Sequence, residues 1–180
     1  MKEKPTLTVN IEHLKQVLID GDFDNTESVK ELVISESITE IDKELLEFMD
    51  MCDCLETITV HPGNLVFASE NGILFSKYKS KLLYFPRGLE GDYIVPDFVS
   101  EIGRGAFNGC VGLLSVVISD TVEVIGEGAF YECMCLQSVF IPKSVVKIGE
   151  FAFGGGFSMT IEVDPENPVF TSENGELKRK

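Results

Sequence analysis

A spacing of 23 residues between three matching segments constrains the fold of this chain more than any other feature. Each segment carries a short β-branched run, a valine, an isoleucine–glycine step and an alanine–phenylalanine step. The segments begin at Tyr93, Val116 and Val139. A unit of this size cannot bury its own apolar face, so such units are stable only when they stack. The period therefore predicts a solenoid.

The alternation of apolar residues within each unit predicts a strand, in which Val139 and Ile141 face inward. Pro142 then ends the strand because it has no N–H to donate. We expect the recurring glycine to permit a bend that a Cβ would hinder, and the alanine–phenylalanine step to begin a short outer turn. The predicted fold is α/β: a right-handed leucine-rich-repeat solenoid, with a strand ladder on one face and short helical or 3₁₀ turns opposite. The phenylalanines Phe107, Phe130 and Phe153 are expected to stack as a buried column.

A second kind of unit occurs at residues 60–74 and again at 163–177. Both copies read V-x-P-x-N-x-V-F-x-S-E-N-G-x-L. The Asn-Gly step is typical of a two-residue type I′ turn between antiparallel strands. We therefore predict irregular coils that contain hairpins near residues 60–85 and 163–180.

The repeat region is predicted to extend over residues 29–180. Its first unit, Leu32 to Ile41, fits the regular register but is three residues longer and has Asp42 where later units have glycine. Residues 1–28 lack the repeat, and the amphipathic pattern from Ile11 to Leu18 predicts an N-terminal helical cap.

The regular pattern, L-x-x-V-x-I-P-x-x-V-x-x-I-G-x-x-A-F-x-x-C-x-x-L, resembles the BspA-like leucine-rich repeat, and the N-P-V-F-x-S-E-N-G-x-L unit is similar to irregular coils in that family. The resemblance covers roughly residues 29–180. It implies a surface or secreted protein that adheres to a host or cell-surface protein. The absence of a signal-peptide pattern in this chain and its unpaired cysteines favour the cytoplasm instead, so the compartment stays open.

The formal net charge of −15 makes this an acidic protein and disfavours nucleic acid and anionic lipid as partners. There is no apolar run of about 18 residues, so no membrane insertion is expected. Five cysteines are an odd number, and they are too unevenly placed for a disulfide framework. We interpret Cys110 and Cys133 as core fillers, and the C-x-C pairs at Cys54 and Cys135 lie several coils apart, too far to share a metal.

The exposed face of the strand ladder is the first candidate site. Its outward positions are Val33, Thr59, Ile94, Val117, Phe140 and Glu162. Ile94, Val117 and Phe140 are expected to form an apolar stripe facing solvent, which is typical of interaction sites. The alternative is a ladder that packs only against itself. The neighbouring polar margin is Gln137, Ser138 and Ser115.

An acidic loop provides a second candidate site. Asp20, Asp22, Asp24 and Glu31 match the spacing of a calcium-binding loop. The pattern departs from that loop at Asn25, where glycine is usual, and it leads into a strand instead of a second helix. The alternative is a polar linker, since aspartate is favoured in turns.

Catalysis has no support in the sequence, and no cofactor is expected. The two histidines, His13 and His61, have no nucleophile at a recognisable motif spacing. We therefore expect a non-enzymatic, protein-binding or adhesion-type module that uses the strand face. The alternative is a structural module that self-associates through its open ends near Lys180.

Overall fold

The computed structural model describes residues 29–155 and 159–180. The predicted helical cap, His13 and the aspartates of the acidic loop lie outside the described residues. The elements in chain order are β1 (Glu31–Ile34), α1 (Lys43–Met51), β2 (Thr57–Val60), β3 (Phe67–Glu70), β4 (Ile73–Ser76), β5 (Lys81–Tyr84), β6 (Gly91–Ile94), β7 (Glu101–Ile102), β8 (Leu113–Val117), β9 (Val124–Ile125), β10 (Ser138–Ile141), β11 (Lys147–Ile148), β12 (Thr160–Val163), β13 (Phe170–Glu173) and β14 (Glu176–Arg179).

The main ladder is a four-stranded sheet in the order β12–β10–β8–β6. Its strands are parallel, and Val139 of β10 lies opposite Val116 of β8 and Ile161 of β12. These three side chains are buried, while their sequence neighbours point outward. The predicted solenoid, its register and the inward alternation are confirmed.

A second ladder, which the sequence analysis did not predict, forms another side of the coils. Its six strands lie in the order β11–β9–β7–β5–β4–β3. Strands β5, β7, β9 and β11 are parallel, whereas β3, β4 and β5 pair antiparallel. The isoleucine–glycine step lies on this ladder: Gly126 N–H donates to Ile102 O at 2.8 Å, and Gly149 N–H donates to Ile125 O at 2.8 Å.

The glycine of each regular coil is required by the close approach of the preceding coil. A Cβ on Gly126 would lie 2.6 Å from Arg104 N, and one on Gly149 would lie 2.3 Å from Glu127 N. Real Cβ atoms do not approach backbone so closely. The glycine is therefore there for packing between coils, and not for the backbone bend that the sequence analysis expected.

Helix α1 accounts for the three additional residues of the first described coil. Asp42 occupies the position that is glycine in later coils. Its side chain accepts the N–H of Leu45 at 2.8 Å and so caps the helix. Leu45, Phe48 and Met49 point into the core. In the later regular coils the same arc consists of hydrogen-bonded turns, for example Asn108 N–H to Gly105 O at 2.9 Å. The predicted outer helical segments therefore form turns in those coils. No helix within the described ranges is long and apolar enough to cross a membrane.

The predicted stacking of the phenylalanines is confirmed, with Phe107 and Phe130 buried and Phe153 partly buried. The rings of Phe107 and Phe130 stack with centroids 4.8 Å apart, and those of Phe130 and Phe153 with centroids 5.5 Å apart. Phe85 extends the column by one further ring. Because each ring packs on its equivalent in the next coil, the column links adjacent coils through the core.

The buried cysteines complete this core. Cys110 and Cys133 are buried, and their thiols donate to Phe85 O at 3.6 Å and Phe107 O at 3.0 Å. Burial raises the pKa of Cys133 to about 12, so this thiol is unreactive at neutral pH. The role of core filler is therefore confirmed for both cysteines.

The two irregular units are structural duplicates. Each contains an antiparallel hairpin, β3–β4 or β13–β14, whose Asn-Gly turn has positive φ at both residues. The turn glycine lies beside the strand that precedes its hairpin, β2 or β12: Gly72 O accepts the N–H of Ile58 at 2.8 Å, and Gly175 O accepts that of Ile161 at 2.8 Å. The predicted hairpins are confirmed.

A buried asparagine holds each irregular unit to the preceding coil. The Asn64 amide donates to Ser35 O and Ile38 O and accepts the N–H groups of Val66 and Phe67, all at 2.8 Å. Asn167 repeats the arrangement on Pro142, Val145, Val169 and Phe170. Sequence reasoning missed this role, although the asparagine is shared by both copies of the motif.

Candidate functional site

Three large apolar side chains lie side by side on the outer face of the main ladder. Ile94 is opposite Val117, and Val117 is opposite Phe140. Their exposed fractions are 68%, 55% and 47%. We call these three residues the apolar row. Phe140 is followed across the sheet by Glu162, so the row ends at a carboxylate on β12.

A polar row runs beside the apolar row, two residues earlier in each strand and therefore on the same face. Asp92 lies opposite Ser115, and Ser138 lies opposite Thr160. The Ser115 hydroxyl donates to Asp92 Oδ1 at 2.6 Å. Gln137, immediately before β10, is also exposed. The structure thus places Ser115, Gln137 and Ser138 where the sequence analysis expected a polar margin.

Val33 and Thr59 do not continue the apolar row. They pair with each other in a separate two-stranded sheet, β1–β2. The chain between β2 and β6 forms the irregular unit, whose strands belong to the second ladder. The six outward positions are therefore divided between two sheets, because the hairpin unit lies between β2 and β6. The expected stripe of Ile94, Val117 and Phe140 lies within one of them.

A β-bulge adds an exposed leucine that the sequence analysis did not assign to the site. The register between β6 and β8 shifts by one residue, so Gly91 pairs with Leu113 and Asp92 with Ser115. Leu114 is the additional residue, and half of its side chain is exposed. Bulges re-aim side chains at sheet edges, and the 23-residue alignment gives no signal of this one.

Glu31 is the only member of the calcium candidate within the described residues. It lies in β1, and its carboxylate accepts the Thr59 hydroxyl at 3.3 Å. Across residues 29–155 and 159–180, no group of three or more histidine, cysteine or acidic side chains is arranged to hold a metal ion.

His61 stabilises a turn. Its Nδ1 accepts the N–H of Gly63 at 3.1 Å and lies 3.7 Å from Glu36 Oε2. The imidazole contacts no nucleophile in this arrangement, so its role is to hold the local backbone conformation.

Stacked parallel coils with an exposed strand ladder define the class of protein as a leucine-rich-repeat solenoid. The family model described as "BspA type Leucine rich repeat region (6 copies)" matches residues 92–170. Residues 92–170, a little under half of the chain, therefore match BspA-type leucine-rich repeats, as the resemblance drawn from the sequence predicted.

Solved bacterial leucine-rich-repeat proteins share the fold. A leucine-rich repeat protein from Eubacterium ventriosum is 28% identical with a TM-score of 0.65, and the match covers 76% of this chain and 36% of that one. The pneumococcal vaccine antigen PcpA is 21% identical with a TM-score of 0.59, and the match covers 77% of this chain and 40% of that one. The matched region is thus less than half the length of either protein. No curated protein matches the chain.

These comparisons agree with a protein-interaction repeat module. Leucine-rich repeats are generally non-enzymatic, and nothing in the described residues or in the matching proteins shows catalysis. Extended solenoid surfaces of this kind present aligned side chains from successive coils to a partner.

Proposed function

We propose that this chain binds a protein partner through the apolar row of its strand face. The observation that carries the proposal is the exposure of Ile94, Val117 and Phe140 on three adjacent strands. Exposed apolar side chains that are contiguous mark interaction sites, whereas scattered ones do not.

The apolar area left in water favours a binding surface over a ladder that packs only against itself. Fully burying one such side chain contributes roughly 1.5–3 kcal/mol. About half of each side chain in the row is still exposed, so a partner that covers all three gains on the order of 3 kcal/mol. Cross-strand packing does not bury this remaining apolar surface, so its hydrophobic free energy is gained only when a partner covers it.

The polar row supplies the rim that a binding site of this kind needs. Interfaces place polar groups around a central apolar cluster, where they exclude water and fix orientation. Ser115, Gln137 and Ser138 are neutral donors and acceptors beside the row, and Asp92 and Glu162 add negative charge at its margins. We infer a partner with an apolar centre and a basic rim, such as a host or cell-surface protein contacted in adhesion.

A pull-down from host-cell and source-cell lysates tests this proposal. The test variant is Ile94→Asp/Val117→Asp/Phe140→Asp. The matched control is Val111→Asp/Met134→Asp/Val146→Asp, which adds the same charge at exposed apolar positions outside the strand face. Both must keep the wild-type circular dichroism spectrum. We expect the control to retain the partner and the test variant to lose it. Equal retention by both would refute the strand face as the main site.

Self-association through β14 is the second candidate function. In the first irregular unit the outer edge of the β3–β4 hairpin is covered by β5. Within the described residues the equivalent strand β14 pairs only with β13. An open edge is a template for strand addition. An antiparallel pair of β14 strands centred on Leu177 would place Glu176 opposite Lys178 of the partner subunit, and these charges attract.

Light scattering coupled to size-exclusion chromatography tests self-association. The two-residue turn makes Glu173 and Glu176 the hydrogen-bonded pair, so the Leu177 N–H points away from β13. Leu177→Pro therefore removes a donor from the open edge and keeps the hairpin bonds. We expect wild-type dimers whose population rises with concentration, and a monomeric Leu177→Pro variant. A monomeric wild type at all concentrations would exclude this function.

A further inference from the structure

A strained and exposed phenylalanine occupies a position that is glycine in the other two regular coils. The backbone φ is +60° at Gly105, +60° at Gly128 and +54° at Phe151. A bulky residue is rarely found in this left-handed region because its Cβ crowds the following carbonyl. Phe151 is also 71% exposed, so burial does not offset the strain. Backbone strain of this kind is concentrated at functional sites.

Phe151 is one wall of a groove on the turn side of the solenoid. This turn-face groove has a volume of ≈ 460 Å³ and runs from helix α1 across three regular coils. Gly105 and Gly128 form its floor, where a Cβ would meet no atom closer than 3.7 Å. Leu46 of α1 and Tyr131 are partly exposed apolar walls. The groove therefore combines a size suited to a ligand or side chain with aromatic surfaces.

The molecule itself shows how a guanidinium fits beside this groove. Arg87 lies between α1 and the turn that follows β7, with Nη2 2.9 Å from Asp50 Oδ1. Its Nε donates to Asn108 O at 3.0 Å. A planar cation with several donors matches the carboxylates and carbonyls that converge on this side of the coils.

Acceptors next to Arg87 are left for a second guanidinium. Asn108 lines the groove, and its Oδ1 is buried without a hydrogen-bond partner. Glu127 also lines it and pairs with Arg104 at 3.0 Å, but both side chains are more than half exposed, so the pair is weak and exchangeable. Glu150, one coil further, is exposed and has no ion-pair partner among the described residues. The groove lining thus carries the carboxylates of Asp50 and Glu127 and the cation of Arg104. Glu150, next to Phe151 in the chain, adds a further exposed carboxylate.

We propose that the turn-face groove binds an arginine side chain from a basic segment of a partner protein. The guanidinium replaces Arg104 on Glu127, and its plane stacks on the rings of Phe151 and Tyr131. A rotation of the Asn108 amide brings its buried Oδ1 within reach of the same guanidinium. The net charge of −15 attracts such a segment over a distance. This site is separate from the apolar row, so the inference goes beyond the proposed function.

Titration of the ¹⁵N-labelled protein with N-acetyl-L-arginine amide tests the proposal by NMR chemical-shift mapping. The uncharged isostere N-acetyl-L-citrulline amide is the control ligand, at matched ionic strength. We expect saturable shifts at the amides of Gly105, Gly128 and Tyr131, with at least tenfold weaker binding of the citrulline compound. Shifts that are spread over the acidic surface, or equal binding of the two compounds, would overturn the proposal.

The Phe151→Gly variant provides the protein control because it restores the residue that the other coils carry, so the fold is retained. We expect it to bind the arginine compound at least fivefold more weakly. The strand-face variant Ile94→Asp/Val117→Asp/Phe140→Asp should bind it like the wild type, which separates a failure of this site from a failure of the apolar row. Unchanged binding by Phe151→Gly would refute the role of the strained ring.

Discussion

The substitution Asn64→Ala should destabilise the protein severely, because one buried amide satisfies four backbone groups. The side chain is fully buried, and each of its four hydrogen bonds is 2.8 Å long. Alanine would leave Ile38 O and Phe67 N–H buried without partners. It would also remove one bond each from the part-buried Val66 N–H and from Ser35 O, which keeps the N–H of Ile38. Each lost bond or unsatisfied group costs about 1 kcal/mol or more, so the expected loss is about 4 kcal/mol. That is a large part of the 5–15 kcal/mol typical of a domain.

Urea denaturation followed by circular dichroism measures this loss. Asn108→Ala is the matched control, since Asn108 Oδ1 has no hydrogen-bond partner; its loss should stay below about 1 kcal/mol. Asn64→Asp should be at least as damaging as alanine, because a carboxylate oxygen would face the carbonyls of Ser35 and Ile38 in place of the donating Nδ2. An Asn64→Ala loss no larger than that of the control would refute the view that this amide joins the irregular unit to the first coil.

Three further predictions concern coil packing, strain and thiol accessibility. Gly126→Ala should cost at least about 2 kcal/mol in urea denaturation, because the new Cβ would lie 2.6 Å from backbone of the preceding coil; an unchanged midpoint would contradict that packing. Phe151→Gly should stabilise the protein by up to about 1 kcal/mol, since glycine relieves the left-handed strain; a lower melting temperature would show that the ring supports the fold. In the native protein Cys54 and Cys135 should react quickly with a thiol reagent at pH 8, whereas Cys133, with its pKa near 12, should react only on unfolding; rapid labelling of Cys133 would contradict its burial.

The periodic parts of the fold could be predicted from the sequence. The 23-residue spacing places Val116 opposite Val139, and it aligns Phe107, Phe130 and Phe153 in one column. Stacked coils repeat each position at one spacing of about 4.8 Å, so aligned residues must lie next to each other. The hairpins could also be predicted, because an Asn-Gly step favours a two-residue turn between antiparallel strands.

The second ladder could not be read from the pattern, because its strands β7, β9 and β11 have only two residues each. A two-residue strand shows no alternation. The β-bulge at Leu114 is missed for a different reason: Tyr93 and Val116, which follow it in β6 and β8, keep the 23-residue spacing.

The turn-face groove was also missed, although its signal is present in the sequence. Aligned positions 105, 128 and 151 read glycine, glycine and phenylalanine. The presence of phenylalanine in place of glycine is informative only when the backbone conformation at that position is known, and φ cannot be read from a sequence. The apolar row was found because outward strand positions follow directly from the period of two.

Photo-crosslinking from within the apolar row tests the central claim most directly. A p-benzoylphenylalanine placed at Val117 reports on whatever covers the strand face, and the same group at Val146, which is similarly exposed outside that face, is the control. We predict a light-dependent adduct of one dominant mass from position 117 with host-cell or source-cell lysate, and no such adduct from position 146. The same adducts from both positions, or none from position 117, would contradict binding through the strand face.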